Sequence, residues 1–414
     1  MTGAILALNA RTFRSLRKHR NYRLYFSGQV VSLAGTWMQN VALAWFIVEL
    51  TSSPLAVGLL AFCRFAPFMV FGLFAGVLAD RFDNRRLVIA TQSAQMIVSI
   101  ALAGLAFSSW ESVPAAYALA LAGGLALVFD APGRQALTYQ MVGRDELPNA
   151  VALNSGLFNG ARVIGPAIAG VLIAGAGVGI CFAVNALSYL AVLLGLLLMR
   201  HEELFPVERD RGKRTLSAVR EGLAFAWHSP QIRLVLAVLA VISTVGLNFH
   251  VILPILASET LHAGPEVFGV LSACFGAGAL LGALLSATLG RASWKALLAG
   301  ATGFSAGLLV LAAADSVVLC GVLLFAVGVC FTLWIANSNS LLQLTAPDRL
   351  RGRIVGLFMF FFAGLAPIGG LFAGLLMDVG GTELALSVGG AGGLAAAAYG
   401  WAVRPRVAAA SASS

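Results

Sequence analysis

The chain has 414 residues, 59% of them hydrophobic and only 11% charged, with a net charge of +9 at pH 7. Soluble domains carry roughly 25% charged residues, so the composition excludes a water-soluble globular protein. Stretch lengths without period-two alternation exclude a β-barrel, and cations scattered over many gaps argue for a topology signal with anionic-lipid contact, not for nucleic acid.

Residues 1–23 form a basic N-terminal segment. Arg11, Arg14, Arg17, Lys18, Arg20 and Arg23 precede the first apolar stretch, and no small-residue cleavage site follows it. That first helix is therefore expected to remain in the mature protein. Six apolar spans follow at 24–48, 54–79, 87–107, 114–134, 149–175 and 180–199. Each can cross the hydrocarbon layer as a helix, which takes ~20 residues.

A charged linker at 200–231 divides the chain, with Glu202, Glu203, Glu208, Asp210, Arg211, Lys213 and Arg214 in its first part. Leu216 to Trp227 has the pattern of an amphipathic surface helix. Six more spans follow at 232–257, 267–289, 296–314, 316–338, 354–377 and 384–403. Residues 404–414 close the chain, and their Ala/Ser stretch after Arg406 reads as disordered.

Threading these twelve spans through a bilayer separates the charges. Odd gaps hold Glu49, Glu111, Glu259, Glu266, Asp315, Asp378 and Glu383, with no Lys or Arg. Even gaps hold Arg81, Arg85, Arg86, Arg144, Arg291, Lys295, Arg349, Arg351 and Arg353, together with the linker. Cations resist translocation, so the even gaps and both termini are expected in the cytoplasm. A wrong helix count would scramble this pattern. The expected fold is all-α and integral to the membrane, with two six-helix bundles at 24–199 and 232–403.

The bundles echo each other. Gly165 and Pro166 match Ala366 and Pro367, Thr36 and Asn40 match Thr244 and Asn248, and Arg144 to Leu147 resembles Asp348 to Leu350. Internal duplication around a linker is a recurrent transporter plan, with the cargo site between the halves near the midplane.

Polar residues inside the spans nominate that site. At ~1.5 Å per residue, Arg64 lies about 15 Å from the outer start of span 2 and Arg162 about 20 Å from the inner start of span 5. A midplane cation usually faces a cavity or a partner. Binding an anionic or strongly polar cargo group and bonding helix carbonyls both remain open for the pair. Gln29, Thr36 and Asn40 share one face of span 1; Thr244, Asn248 and His250 lie on span 7, and Asn337 on span 10, so some are expected to line a cavity. Trp37, Trp45 and Phe68 are either aromatic stacking partners or interface anchors. The five cysteines lie inside spans without His partners and read as small apolar residues, not disulfides or metal ligands.

The run from Gly76 through Asp80 and Arg81 to Asp83, Asn84, Arg85 and Arg86 resembles the G-x-x-x-D-R-x-G-R-R/K signature of the major facilitator superfamily. Asp83 and Asn84 replace its glycine region, and the second-half copy, Gly282 to Lys295, lacks the aspartate. The resemblance implies a latch for the outward-facing state, with Asp130 as a partner and Arg134 nearby. Gly156, Gly165, Pro166 and Gly170 resemble the superfamily's antiporter motif, with Ala169 for one glycine. Arg23 to Gln29, Gly35 to Gln39, Asp130 to Gln135 and Leu147 to Ala150 are similar to the enterobactin-exporter and macrolide-efflux branch, over essentially the whole chain.

The resemblance implies a secondary exporter of amphipathic small molecules, such as a siderophore, a macrolide or another drug, in a bacterial inner membrane. It is expected to be monomeric, proton-coupled and free of cofactor and metal. No nucleotide-binding motif or nucleophile elbow suggests an enzyme. An importer of an organic anion and a non-transporting membrane scaffold are the alternatives.

Overall fold

The computed structural model describes residues 12–79, 81–108, 110–206, 215–288, 292–347 and 349–412. Ten apolar helical stretches in it are long enough to cross a membrane. Two of them, Val113–Ala176 and Arg351–Arg404, have 64 and 54 residues, about 96 Å and 81 Å at 1.5 Å per residue. Each is broken by glycine in a non-helical conformation, Gly143 at φ 70° and Gly381 at φ 67°. Divided there, the ten become twelve.

In chain order these are α1 Arg20–Thr51, α2 Pro54–Ala79, α3 Asn84–Phe107, α4 113–142, α5 144–176 and α6 Val178–Leu197. The second set is α7 Pro230–Thr260, α8 Pro265–Thr288, α9 Trp294–Ala312, α10 Val317–Thr345, α11 351–379 and α12 382–412. Two further helices precede the sets, Arg14–Lys18 before α1 and Thr215–His228 before α7. Serine side chains accept backbone N–H groups at the starts of α4, α7, α9 and α10, and Asp83 does so for α3, which satisfies donors the first turn leaves open.

Several helices outrun their sequence-derived limits, α4 and α10 among them. The fourth span was expected to end at residue 134 and continues to 142; the tenth was expected to end at 338 and continues to Thr345. Polar side chains stop the hydropathy signal without stopping the helix. The tail after Arg406, expected to be disordered, continues α12 as helix to Ala412. Alanine is the best helix former, and an anchored helix already supplies the nucleus.

The packing repeats between the halves. Within the first, α1 packs on α5 and α6, α2 on α4, and α3 on α4 and α6. Within the second, α7 packs on α11 and α12, α8 on α10, and α9 on α10 and α12. Among the described residues, two seams of comparable extent join the halves, α2 with α11 and α5 with α8.

Both seams bring backbones together at the end carrying the acidic gaps. A Cβ on Gly269 of α8 would lie 2.6 Å from the Pro166 carbonyl oxygen, and one on Gly170 would lie 2.9 Å from that of Pro265. Across the other seam, a Cβ on Gly58 would lie 2.8 Å from the Gly370 carbonyl oxygen. These distances are below any real Cβ contact, so the backbones meet there because no side chain intervenes. Trp45 of α1 stacks on Phe268 of α8 at 6.1 Å and closes the same end. Toward the basic end α5 parts from α8, and Gly156 and Gly160 face open space.

Candidate functional site

A cavity of about 640 Å³ lies between the halves, lined by residues of both. Gln29, Thr36, Asn40, Arg64, Arg162, Asn248 and His250 all line it, as do Asp130 and Arg134. Asn248 is placed there by a break in α7, whose regular helix stops at Val245 and resumes at Phe249. α11 carries a single π-helical stretch, Phe360–Gly364, that brings Phe362 and Ala363 to the wall. Such bulges recur at functional sites.

Arg162 sits among aromatic rings. Its guanidinium lies 4.7 Å from the Phe275 ring, 5.0 Å from Phe331 and 5.6 Å from Trp37. Phe275 and Phe331 belong to the second half, so this first-half cation bridges the α5–α8 seam. Arg64 lies 5.7 Å from the Phe65 ring, and Phe65 stacks on His250 at 5.7 Å. The sequence pointed to both cations but gave no sign of Phe275 or Phe331, which are ordinary apolar residues until the halves are assembled.

Thr244 and Asn337 do not line the cavity, contrary to expectation. The Thr244 hydroxyl donates to the Ala240 carbonyl at 2.8 Å. Asn337 accepts from the Ser293 N–H at 3.0 Å and donates to the Leu333 carbonyl at 2.8 Å, which ties α10 to the start of α9. Helical spacing fixes a shared face but not which neighbour that face meets.

Asp130 is 1% exposed. It accepts from Thr91 at 2.7 Å and Gln92 at 2.9 Å on α3, and pairs with Arg134 at 3.4 Å. Arg134 also donates to Gln29 at 3.0 Å. Because α4 runs on to 142, Asp130 lies 13 residues before Gly143, about 20 Å inside the basic end. Among the described residues Arg134, Thr91 and Gln92 engage it, not the loop cations expected to pair with it. Arg85 instead donates to the Leu196 and Leu197 carbonyls at 2.9 and 3.0 Å and caps α6. The Arg86 N–H donates to Asp83 at 2.9 Å, and Arg81 is exposed. Asp80 lies outside the described residues, and of Gly76 only the helical backbone is described.

The antiporter-like motif divides in the structure. Gly165 lets α5 approach α1, where a Cβ would lie 2.6 Å from Trp37 Cβ, while Pro166 and Gly170 form the seam with α8. Gly156 faces open space and packs on nothing.

Two charge clusters at the basic end were not foreseen. The Arg14–Lys18 helix docks on the α4–α5 elbow, with Arg14 at 2.7 Å and Lys18 at 3.3 Å from the buried Glu146 carboxylate. Ser15 adds hydrogen bonds to Asn149 and the Glu146 carbonyl. In the second half, Glu221 of the Thr215–His228 helix binds Arg349 at 2.7 Å and also Arg353, at the α10–α11 elbow.

A family profile described as "Transmembrane secretion effector" matches residues 10–414. The Staphyloferrin A transporter of Staphylococcus aureus is 25% identical over 374 residues, covering 89% of this chain and 92% of that protein. The Enterobactin exporter EntS of Shigella boydii is 28% identical over 355 residues, covering 83% and 82%. A multidrug efflux pump and macrolide efflux proteins are further relatives. Among solved structures, the nucleoside transporter NupG superposes with a TM-score of 0.74 at 13% identity, covering 92% of this chain and 99% of that one. The profile match, the major facilitator fold and the membrane-spanning helices agree, and the chain belongs to the transmembrane secretion effector family of major facilitator transporters, as a multi-pass membrane protein.

Proposed function

We propose that the protein is a secondary exporter in a bacterial inner membrane, working by alternating access with its basic end in the cytoplasm. One observation carries the reading: a cavity shared by two repeated halves, closed by backbone-to-backbone seams at the acidic end and parted along α5 toward the basic end. Cargo enters from the cytoplasm, and rocking of the halves about the seams then releases it outside. Siderophores and drugs, named for its relatives, are the cargo range in view. Both halves that form the described cavity wall belong to one chain, which supports a monomer as the working unit. An ion gradient or the membrane potential drives the cycle.

Cargo accumulation in cells with and without the chain tests this. An exporter lowers accumulation of at least one siderophore or drug in a panel, whereas an importer raises it and a scaffold leaves every compound unchanged. Cysteine labelling from the outer face should find residues of the 107–113 gap and spare the 197–215 linker; the reverse pattern overturns the orientation.

A further inference from the structure

The cavity carries positive charge that the protein does not neutralise. One carboxylate, Asp130, stands on its described wall against the guanidiniums of Arg64, Arg134 and Arg162. Asp130 is engaged by Arg134, Thr91 and Gln92. Among the described residues, Arg64 and Arg162 have no hydrogen-bond acceptor and no ion-pair partner; their neighbours are aromatic rings. A guanidinium offers five N–H donors in a planar fork that matches carboxylate and phosphate. Contact with a ring face steadies the cation by ~0.5–2 kcal/mol but satisfies none of those donors.

A cation held near the membrane midplane without a partner is costly, and such residues mark cargo pathways. Here two line one cavity, one from α2 and one from α5, with His250 of the second half in electrostatic reach of both. The rest of the wall is mainly apolar and aromatic, including Trp37, Phe65 and Phe158.

We propose that the cargo is an amphipathic organic anion, its acidic group held by Arg64 and Arg162, and that its own charge couples export to the membrane potential. The direction of this inference rests on the export reading. A cell interior is negative, so an anion moving outward runs downhill electrically. Each charge moved is worth about fiftyfold in concentration ratio per 100 mV. No carboxylate on the described wall other than the engaged Asp130 is left to carry a proton across, so the cargo supplies the coupling charge.

Two dyes on the same tricyclic scaffold test the charge preference: anionic carboxyfluorescein and cationic tetramethylrhodamine methyl ester. With purified full-length protein, fluorescence anisotropy should give at least tenfold tighter binding of the anion. Naphthoate should displace it and the uncharged naphthamide should not. Arg64→Gln and Arg162→Gln should each weaken anion binding at least tenfold, and Arg64→Lys, which keeps the charge and checks folding, should weaken it less.

In proteoliposomes at equal pH on both sides, an inside-negative potassium diffusion potential should speed carboxyfluorescein efflux. A protonophore should leave that rate unchanged, in wild type and in His250→Gln. Equal or tighter binding of the cation, no binding of either dye, or efflux that follows a pH gradient and ignores the potential would each overturn the proposal. If cells meanwhile still expel neutral or cationic compounds, the export reading stands and only the cargo class falls. If no compound is expelled, the export reading falls with it.

Discussion

Asp130 and Arg134 face each other across one turn of α4, 3.4 Å from Oδ2 to Nε, and through them α1, α3 and α4 are fastened at the inner wall of the cavity. Removing one member of a buried pair leaves the other uncompensated, at ~3–5 kcal/mol. Asp130→Asn should therefore lower stability by about 3 kcal/mol, while Asp130→Asn with Arg134→Gln recovers most of it. Denaturation of the purified variants checks this, and a single variant as stable as wild type would mean the pair holds nothing together.

The N-terminal helix should behave as a clamp on the α4–α5 elbow. Glu146 is 2% exposed and receives both Arg14 and Lys18. Glu146→Gln removes both ion pairs and should raise amide hydrogen exchange over residues 12–18 by tenfold or more, from a loss of ~1.5–3 kcal/mol for bonds to a charged group. Exchange in the α8–α10 contact should stay as it was.

The linker helix has a pH-dependent anchor. The Arg353 guanidinium, and Arg349 with it, hold the Glu221 carboxyl below its ordinary value of 4.5. A depressed folded-state value means the contribution is complete above the free-carboxyl value and is lost as pH falls through the folded one. Limited proteolysis should thus cut near the Thr215–His228 helix faster at pH 3.5 than at pH 7, and Glu221→Gln should be cut fast at both. The anchor is exposed, so high salt at pH 7 should act in the same direction.

The seams invite a steric test. A valine at Gly269 would meet the Pro166 carbonyl oxygen and the Gly170 backbone, and α5 and α8 could not close at the acidic end. Gly269→Val should cut transport at least tenfold and raise labelling of cysteines placed near Trp45 from the outer face. The same change at Gly156, which faces open space, should be mild in this conformation; equal damage at both positions would refute the seam.

Hydropathy and the sorting of Lys and Arg made most of the fold legible, because a bilayer penalises misplaced polarity at every span. The ends of α4 and α10 were not legible, since a helix that leaves the apolar layer loses its signature while keeping its hydrogen bonds. Site legibility followed the same line. Arg64 and Arg162 stand out because a midplane cation is anomalous wherever it sits. Thr244 and Asn337 look equally anomalous, but each satisfies itself on a neighbouring carbonyl or N–H. Phe275 and Phe331 look unremarkable in sequence, and only the packing of α8 and α10 against α5 brings them to Arg162.

The two elbow clamps have opposite polarity. Cations of the first helix meet Glu146, whereas Glu221 of the second meets Arg349 and Arg353. In chain order the elbow of the first bundle precedes the linker, and that of the second follows it. A second helix carrying the same charge as the first could settle on that first elbow and strand the rest of the chain. Glu221 would face Glu146 there as a like charge, so the opposite polarity of the two clamps disfavours seating the linker helix on the first bundle's elbow.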